Sequence, residues 1–175
     1  MESKRPKVIS SEIVYENQRF KIRKDSLLWP DGRRGDYYLV EGRPFCIIIA
    51  EENGQILIEE QYRYQTDSVR LEFPAGMIEN NESPEEAASR ELLEETGYTA
   101  VEITQIGSFE GYGRIKGHVL VVRGLVKHSE QKLDASELGL TSRWIPIEEF
   151  LALLASGKIT MYATLAAWAL YSATR

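Results

Sequence analysis

The segment from Ser83 to Gly97 constrains the fold of this chain more than any other. Ser83, Pro84 and Glu86 match a helix N-cap, a proline in the first turn and the acid of a capping box. Gly97 supplies a stop, because glycine readily takes the left-handed conformation in which many helices end. The sequence therefore predicts a helix over residues 83–96.

The residues before this helix have the patterns of β-strands. Two turn signals, Asp31-Gly32 and Asn53-Gly54, lie between apolar runs and are typical of hairpins. Apolar alternation and the continuous run FCIIIA predict strands at residues 11–16, 20–29, 37–40, 45–50 and 55–60. The last two strands are expected to form a central hairpin.

The residues after the helix predict further strands and then two helices. Strands are expected at residues 101–109, 118–126 and 142–145, and helices at residues 146–154 and 162–171 with Gly157 as a stop between them. This order predicts an α/β (α+β) sandwich in which helices cover a mixed sheet. Residues 1–42 are expected to be an N-terminal antiparallel strand region and residues 43–175 the main domain, the two together forming effectively one domain.

Composition excludes several classes of protein. The formal net charge is −6 and the basic residues are scattered singly, which disfavours a nucleic-acid partner. No apolar run approaches the ~20 residues of a membrane span, and the N-terminus lacks the apolar stretch of a secretory signal. We therefore expect a cytoplasmic protein without a membrane partner. Its single cysteine, Cys46, lies in an apolar run and is expected to be buried core.

Three carboxylates of the predicted helix form a cluster. Glu91, Glu94 and Glu95 stand at i, i+3 and i+4, so they share one face about one turn long. Like charges at this spacing repel each other, and a folded chain keeps them close only with a cation or a solvated face. A wet helix surface is the ordinary alternative. Clustered carboxylate oxygens are the ligands that Mg²⁺ or Mn²⁺ prefers.

The spacing around the cluster favours the cation. Residues 76–98 satisfy the pattern Gly-x5-Glu-x7-Arg-Glu-U-x-Glu-Glu-x-Gly-U, where U is a bulky apolar residue. A chance match in a chain of this length has odds on the order of 10⁻⁷. The sequence resembles the Nudix hydrolases, in which this segment forms a loop, a helix and a loop that bind divalent metal ions. The resemblance implies a Nudix-type α/β/α sandwich.

The resemblance also implies roles for residues of this segment. Glu91, Glu94 and Glu95 would bind the metal, with Glu94 and Glu95 essential for catalysis. Arg90 would support them by pairing with Glu82, since an arginine can fix the rotamer of a neighbouring carboxylate. Gly76 would allow the close turn that brings a backbone carbonyl, that of Ala75, to the metal.

Flanking residues resemble the branch that hydrolyses ADP-ribose and nucleoside diphosphate sugars. In the segments Glu60–Tyr64 and Leu71–Gly76, that branch carries an arginine near the phosphates and a glutamate beside the metals. The matching positions are Arg63 and Glu72, with Arg70 as a second phosphate ligand; an exposed strand-end arginine is the alternative for Arg63. Glu72 should point away from the face of Leu71 and Phe73.

The resemblance leaves the sugar open. Members specific for ADP-ribose usually carry a proline in the loop that corresponds to residues 109–113, and no proline occurs there. A broader preference that includes GDP-mannose-like substrates is therefore expected. Purine bases gain free energy from aromatic stacking, and Trp29 and Tyr112 are the favoured candidates because both flank predicted loops.

A general base is expected from the loop over residues 127–140, as in the same branch. The candidates are Glu130, Asp134 and Glu137, and Glu137 is favoured by its distance from Gly157. His118 and His128 match no metal-ligand spacing. The branch often forms homodimers through its N-terminal strands, so a homodimer is expected.

Together these patterns predict a Mg²⁺-dependent pyrophosphohydrolase, with Mn²⁺ as a possible substitute, that cleaves a small nucleotide sugar to a nucleoside monophosphate and a sugar phosphate. The alternatives are a Nudix enzyme that acts on capped RNA or nucleoside triphosphates, a sensor that binds nucleotide sugars without catalysis, and a protein whose carboxylates bind only a stabilising cation.

Overall fold

A computed structural model describes residues 4–133 and 137–174 of the chain. The chain divides into two compact units, one of residues 1–43 and 110–116, the other of residues 44–109 and 117–175. In the described residues, no helix is both long enough and apolar enough to cross a membrane.

The first unit contains a three-stranded antiparallel sheet in the order β1-β2-β3. Its strands are β1 (Lys7–Glu16), β2 (Phe20–Leu28) and β3 (Arg34–Gly42). The predicted pairing across Asp31-Gly32 is confirmed, with Gly32 at a φ of 85°. Every residue of the edge strand β1 is exposed, including apolar Val8, Ile9, Ile13, Val14 and Tyr15.

The second unit contains a mixed seven-stranded sheet with a central path in the order β10-β5-β4-β9-β8. The strands are β4 (Phe45–Glu52), β5 (Gln55–Arg63), β6 (Ser68–Glu72), β7 (Ala75–Met77), β8 (Tyr98–Glu110), β9 (Lys116–Lys127) and β10 (Thr141–Pro146). Strands β4 and β9 run parallel, whereas β5 pairs antiparallel with β6 and β10, and β4 pairs antiparallel with β7.

The central hairpin predicted at residues 45–50 and 55–60 forms only at its turn. Strands β4 and β5 pair at Glu51 with Ile56 and at Glu52 with Gln55. Beyond these pairs β4 bonds to β9 and β7, while β5 bonds to β10 and β6. The turn chemistry is correct, but other strands take up the backbone groups that a longer hairpin would use.

The described part of the unit also contains three α-helices: α1 (Pro84–Glu91), α2 (Ile147–Ala155) and α3 (Tyr162–Ser172). The predicted start of α1 is confirmed, because Ser83 and Glu86 make both hydrogen bonds of a capping box. A π-helical turn over Leu92–Thr96 continues α1, and Gly97 ends it at a φ of 70°. This wider turn, which occurs often at functional sites, changes how the acids of the helix are presented.

The core lies on both faces of the large sheet. On β5, Ile56 and Ile58 belong to a cluster with Phe150 of α2 and Ala167 of α3. Leu57 between them points the other way and joins a cluster with Ala87, Ala88 and Leu92 from α1 and the π turn. Helices therefore cover both faces of a mixed sheet, as the sequence predicted. The predicted burial of Cys46 is also confirmed, since it is fully buried.

Candidate active site

Two glutamates of neighbouring strands face helix α1. Glu59 of β5 and Glu72 of β6 are directly opposite in the antiparallel register, so both side chains are on one face. Leu57 lies two residues before Glu59 and so points to the same face of the sheet. Leu57 packs against α1, so this is the face that α1 covers. The residues flanking Glu72, Leu71 and Phe73, pack into the cluster on the other face, as predicted. Both glutamates are buried.

Gly76 of β7 lies against the carboxyl group of Glu91. A Cβ atom at residue 76 would lie 1.9 Å from Cδ of Glu91 and 2.0 Å from its Oε1. Such distances are well inside van der Waals contact, so only glycine allows β7 and the buried carboxylate to lie this close. The close approach at Gly76 is thus to a side chain of the helix, and the role of Gly76 in bringing the carbonyl of Ala75 to a metal stays a prediction.

Arg90 donates hydrogen bonds to four residues at the start of the acidic cluster. Its Nε and Nη2 donate to the two carboxylate oxygens of Glu82 at 2.8 and 2.9 Å, which confirms the predicted pair. Nη2 also donates to the backbone carbonyl of Met77, and Nη1 donates to Glu91 at 2.7 Å and to Glu94 at 3.2 Å. The hydrogen bond from Arg90 lowers the pKa of Glu82. Arg90 thus fixes the positions of two of the three helix acids.

Glu95 is the most deeply buried acid of the helix. It is 4% exposed, and its Oε2 accepts a hydrogen bond from the backbone N–H of Ala75 at 3.0 Å. Burial raises its pKa well above the usual value, and the charges of Glu59 and Glu91 raise it further. Burial likewise raises the pKa of Glu91. A positive charge among these acids would stabilise their ionised forms.

Arg63 at the end of β5 pairs with Glu72 in a bidentate geometry. Nε of Arg63 donates to Oε1 of Glu72 at 2.9 Å, and Nη2 donates to Oε2 at 2.7 Å. Arg63 is therefore part of the acidic cluster and more than an isolated surface residue. Arg70 instead donates to the hydroxyl groups of Thr66 and Thr160, at 3.1 and 2.7 Å.

Glu59 is a member of the cluster that the sequence reasoning missed. It is 3% exposed, and burial raises its pKa to about 8, with a further contribution from the charge of Glu72. Within the described parts of the chain, no group hydrogen-bonds to its Oε1. The signal that could have found it is strand alternation, because residue 59 shares a face with the buried Leu57.

The structure places Glu137 within electrostatic reach of the cluster. Its charge contributes to the raised pKa values of Glu59, Glu91 and Glu95. Glu130 is exposed, in a stretch that bonds to the end of the π turn. Asp134 lies outside the described residues.

The two aromatic candidates belong to the first unit. Trp29 is 40% exposed and lines, with Arg33 and Arg34, a cavity of about 330 Å³. Tyr112 is 74% exposed in the turn between β8 and β9. The acids, Arg63 and Arg90 all belong to the second unit.

The donor set of the cluster fits a hard divalent cation. It offers carboxylate oxygens from the helix and from two strands, and one of them, Oε1 of Glu59, has no partner in the described part of the chain. Over residues 4–133 and 137–174, however, no three acidic, histidine or cysteine side chains already surround one point as metal ligands. Arg90 accounts for part of this, because it binds both Glu91 and Glu94. Cation binding would rearrange these side chains.

Comparisons with known proteins found matching family models and similar proteins. A family model described as NUDIX domain matches residues 41–165, and one described as nucleoside diphosphate sugar hydrolase N-terminal domain matches residues 6–40. An ADP-ribose pyrophosphatase of Bacillus subtilis is 29% identical over 164 residues, covering 91% of this chain and 88% of that protein. A GDP-mannose pyrophosphatase of Yersinia enterocolitica is 32% identical over 120 residues, covering 61% of each.

The fold of the chain is also that of a solved structure. The crystal structure of an ADP compounds hydrolase superposes with a TM-score of 0.84, covering 95% of this chain and 92% of that one. The two sequences are 24% identical, so this likeness concerns the fold.

Proposed function

Because the chain belongs to the Nudix family of hydrolases, we propose that it cleaves the diphosphate bond of ADP-ribose or a related nucleoside diphosphate sugar with the help of a divalent cation. The products are a nucleoside monophosphate and a sugar phosphate. The observation that carries the proposal is the buried acidic cluster beside Arg63, in which Glu91 and Glu95 face a strand carboxylate. Such a site offers oxygens to a cation and a guanidinium to phosphate.

The helix acids Glu91, Glu94 and Glu95 would hold the cation, together with the backbone carbonyl of Ala75 and the carboxylate of Glu72. When bound, Mg²⁺ or Mn²⁺ neutralises charge on the diphosphate and lowers the pKa of a bound water. The buried positions of Glu91 and Glu95 exclude bulk water from their side of the site. Arg90, which pairs with Glu82 and also bonds to Glu91 and Glu94, would support these acids as a positioning residue beside the cation.

Substrate orientation would come from the arginines and the aromatic residues. Arg63, held by both oxygens of Glu72, presents its remaining N–H groups to a phosphate oxygen. Arg70 would contact a second phosphate, and Trp29 and Tyr112 would stack on the base. Glu137 would accept the proton of the attacking water, because its charge already acts on Glu59, Glu91 and Glu95.

The substrate class rests on the relatives and on the N-terminal match. One relative is named for ADP-ribose and another for GDP-mannose, and the model matching residues 6–40 is described by nucleoside diphosphate sugars. We propose a preference broader than ADP-ribose alone, in agreement with the absence of proline from residues 109–113 of the sequence.

A coupled phosphate assay tests this function. Both products are phosphate monoesters, so alkaline phosphatase releases inorganic phosphate from them but not from the intact substrate. We expect phosphate release from a panel of diphosphate sugars when Mg²⁺ is present in the hydrolysis step, and none when it is omitted; the hydrolase is heat-inactivated before Mg²⁺ and the phosphatase are added. Glu95→Gln should lower kcat by about 10³-fold or more, since several kcal/mol of transition-state stabilisation depend on the cation.

The control is Glu85→Gln, an exposed acid in the first turn of the same helix, which should keep the wild-type rate. A loss below about tenfold in Glu95→Gln contradicts its role at the cation. Wild-type kcat in Glu137→Gln would remove Glu137 as the base. No turnover of any diphosphate by the wild type would refute the function itself.

The proposal includes a homodimer formed through the first unit. Strand β1 is an edge strand whose residues are all exposed, and five of them are apolar: Val8, Ile9, Ile13, Val14 and Tyr15. Exposed apolar edges of this kind pair readily with another chain. A second copy of this chain is the partner proposed here.

A further inference from the structure

Glu59 on β5 is a buried acid with an oxygen that accepts no hydrogen bond from the described parts of the chain. The side chain is 3% exposed, yet no hydrogen bond to its Oε1 comes from any residue there. Buried carboxyl groups are normally paired, because burial without a partner opposes folding. An apolar residue of similar size would pack there at lower cost.

Arg63, whose positive charge acts on Glu59, makes its hydrogen bonds to another residue. Arg63 lies four residues later on the same strand, but its hydrogen bonds go to both oxygens of Glu72. The charge of Arg63 does act on Glu59, although burial and the charge of Glu72 outweigh it. Of the two buried acids on β5 and β6, Glu72 accepts hydrogen bonds at both oxygens, whereas Oε1 of Glu59 accepts none from the described residues.

The position of Glu59 is set by three strands. Glu59 is opposite Glu72 on β6 and opposite Ser142 on β10, so its backbone is fixed by pairing on both sides. The charges of Glu91 and Glu137 raise the pKa of Glu59, and the charge of Glu59 raises the pKa of Glu95. Its carboxyl group therefore belongs to the same cluster as the helix acids, but it comes from the sheet.

We propose that Glu59 is a further ligand of the divalent cation, holding it from the sheet side while Glu91 and Glu95 hold it from the helix. This assignment rests on the proposed function, in which the cluster binds that cation. It explains why a carboxylate is kept in a buried position where the rest of the protein gives its Oε1 no partner. An uncharged isostere at this position removes the ligand but keeps the shape of the side chain.

Direct measurement of Mn²⁺ binding tests the assignment without relying on turnover. Free Mn²⁺ is followed by its electron paramagnetic resonance signal during titration of the wild type, Glu59→Gln and Glu60→Gln. Loss of a ligand should weaken Mn²⁺ binding in Glu59→Gln by about tenfold or more. A smaller change overturns the assignment.

Glu60→Gln is the matched control, because it removes the same charge one residue further along β5. Glu60 accepts a hydrogen bond from Arg143 at 3.0 Å and points to the other face of the strand. Its Mn²⁺ affinity should equal that of the wild type. An equal loss in both variants would show a general charge effect and overturn the assignment.

A second variant covers the case in which Glu59→Gln does not fold. Glu59→Asp keeps the charge but shortens the side chain by one methylene group, so its Mn²⁺ affinity should fall below that of the wild type. An unchanged affinity overturns the assignment.

The two proposals can fail separately. If the wild type binds Mn²⁺ through Glu59 but hydrolyses no diphosphate, the proposed function is wrong and the assignment of Glu59 as a ligand is correct. If the wild type hydrolyses diphosphates and Glu59→Gln binds Mn²⁺ normally, only the ligand fails.

Discussion

Gly76 is the residue whose identity is most tightly set by its surroundings. The carboxyl group of Glu91 occupies the place where a side chain at residue 76 would begin. We predict that Gly76→Ala destabilises the protein by about 1 to 3 kcal/mol, because overpacking forces β7 or Glu91 to move. It should also raise the Mg²⁺ concentration needed for half-maximal activity. Chemical denaturation and a Mg²⁺ titration measure the two effects.

Gly107→Ala is a suitable comparison for that substitution. A Cβ atom at residue 107 would meet only carbon atoms of the flexible side chain of Leu170, the nearest at 3.3 Å. Its effect on stability should be smaller and its Mg²⁺ dependence that of the wild type. Equal behaviour of the two variants would show that contact with Glu91 does not decide the identity of residue 76.

At the level of single residues, sequence predicted the helix side of the site better than the strand side. The pair of Arg90 with Glu82 was implied by the resemblance of one short segment to a family pattern, because both residues belong to that segment. The pair of Arg63 with Glu72 depends on the register between β5 and β6, which no pattern in the chain specifies. Strand alternation indicates that Glu59 shares a face with Leu57, but its acidic neighbours come from other elements, which no local pattern specifies.

At the level of elements, the end of the π turn is tied to the segment that follows β9. The backbone N–H of Lys132 donates to the carbonyl of Glu94 at 2.8 Å, and the side chain of Gln131 donates to the carbonyl of Glu95. The N–H groups of His128 and Ser129 donate to the carbonyl of Gly97. Carbonyls at the end of a helix lack partners within it, so this segment caps them.

A proline at residue 132 tests this tie. Lys132→Pro removes the N–H that bonds to Glu94, and we expect a loss of about 1 kcal/mol or more of stability together with a lower kcat, since the helix end carries Glu94 and Glu95. Lys132→Ala keeps the N–H and should behave like the wild type in thermal unfolding and in the phosphate assay. Equal loss in both variants would assign the effect to the lysine side chain.

Most elements were predictable because their signals are local. The capping box of α1 and the Gly97 stop define a helix without reference to the rest of the chain. Strands β6 and β7 were not predicted as elements, because β6 has only five residues and β7 only three. The parallel pairing of β4 with β9 and the widening of the last helical turn arise from tertiary packing, which local patterns do not encode.

At the level of the whole molecule, the exposed apolar edge of β1 predicts self-association. The double variant Ile13→Lys with Val14→Lys places charges at two exposed positions of this edge. We expect the wild type to elute as a dimer in size-exclusion chromatography with light scattering, and the variant as a monomer, because charged edge strands resist pairing. A monomeric wild type would contradict the proposed dimer.

The first unit is not one continuous stretch of chain. Residues 110–116 complete it. There the N–H of Arg114 donates a hydrogen bond to the carbonyl oxygen of Val40 at 2.9 Å. Gly113 also lies close to this oxygen, since a Cβ atom at residue 113 would be 2.1 Å from it. A gene segment encoding only the first 43 residues therefore does not encode the whole unit. Recombination that exchanges this unit between relatives must carry the tip of the β8–β9 hairpin with it, so the two parts of the gene are expected to be inherited together.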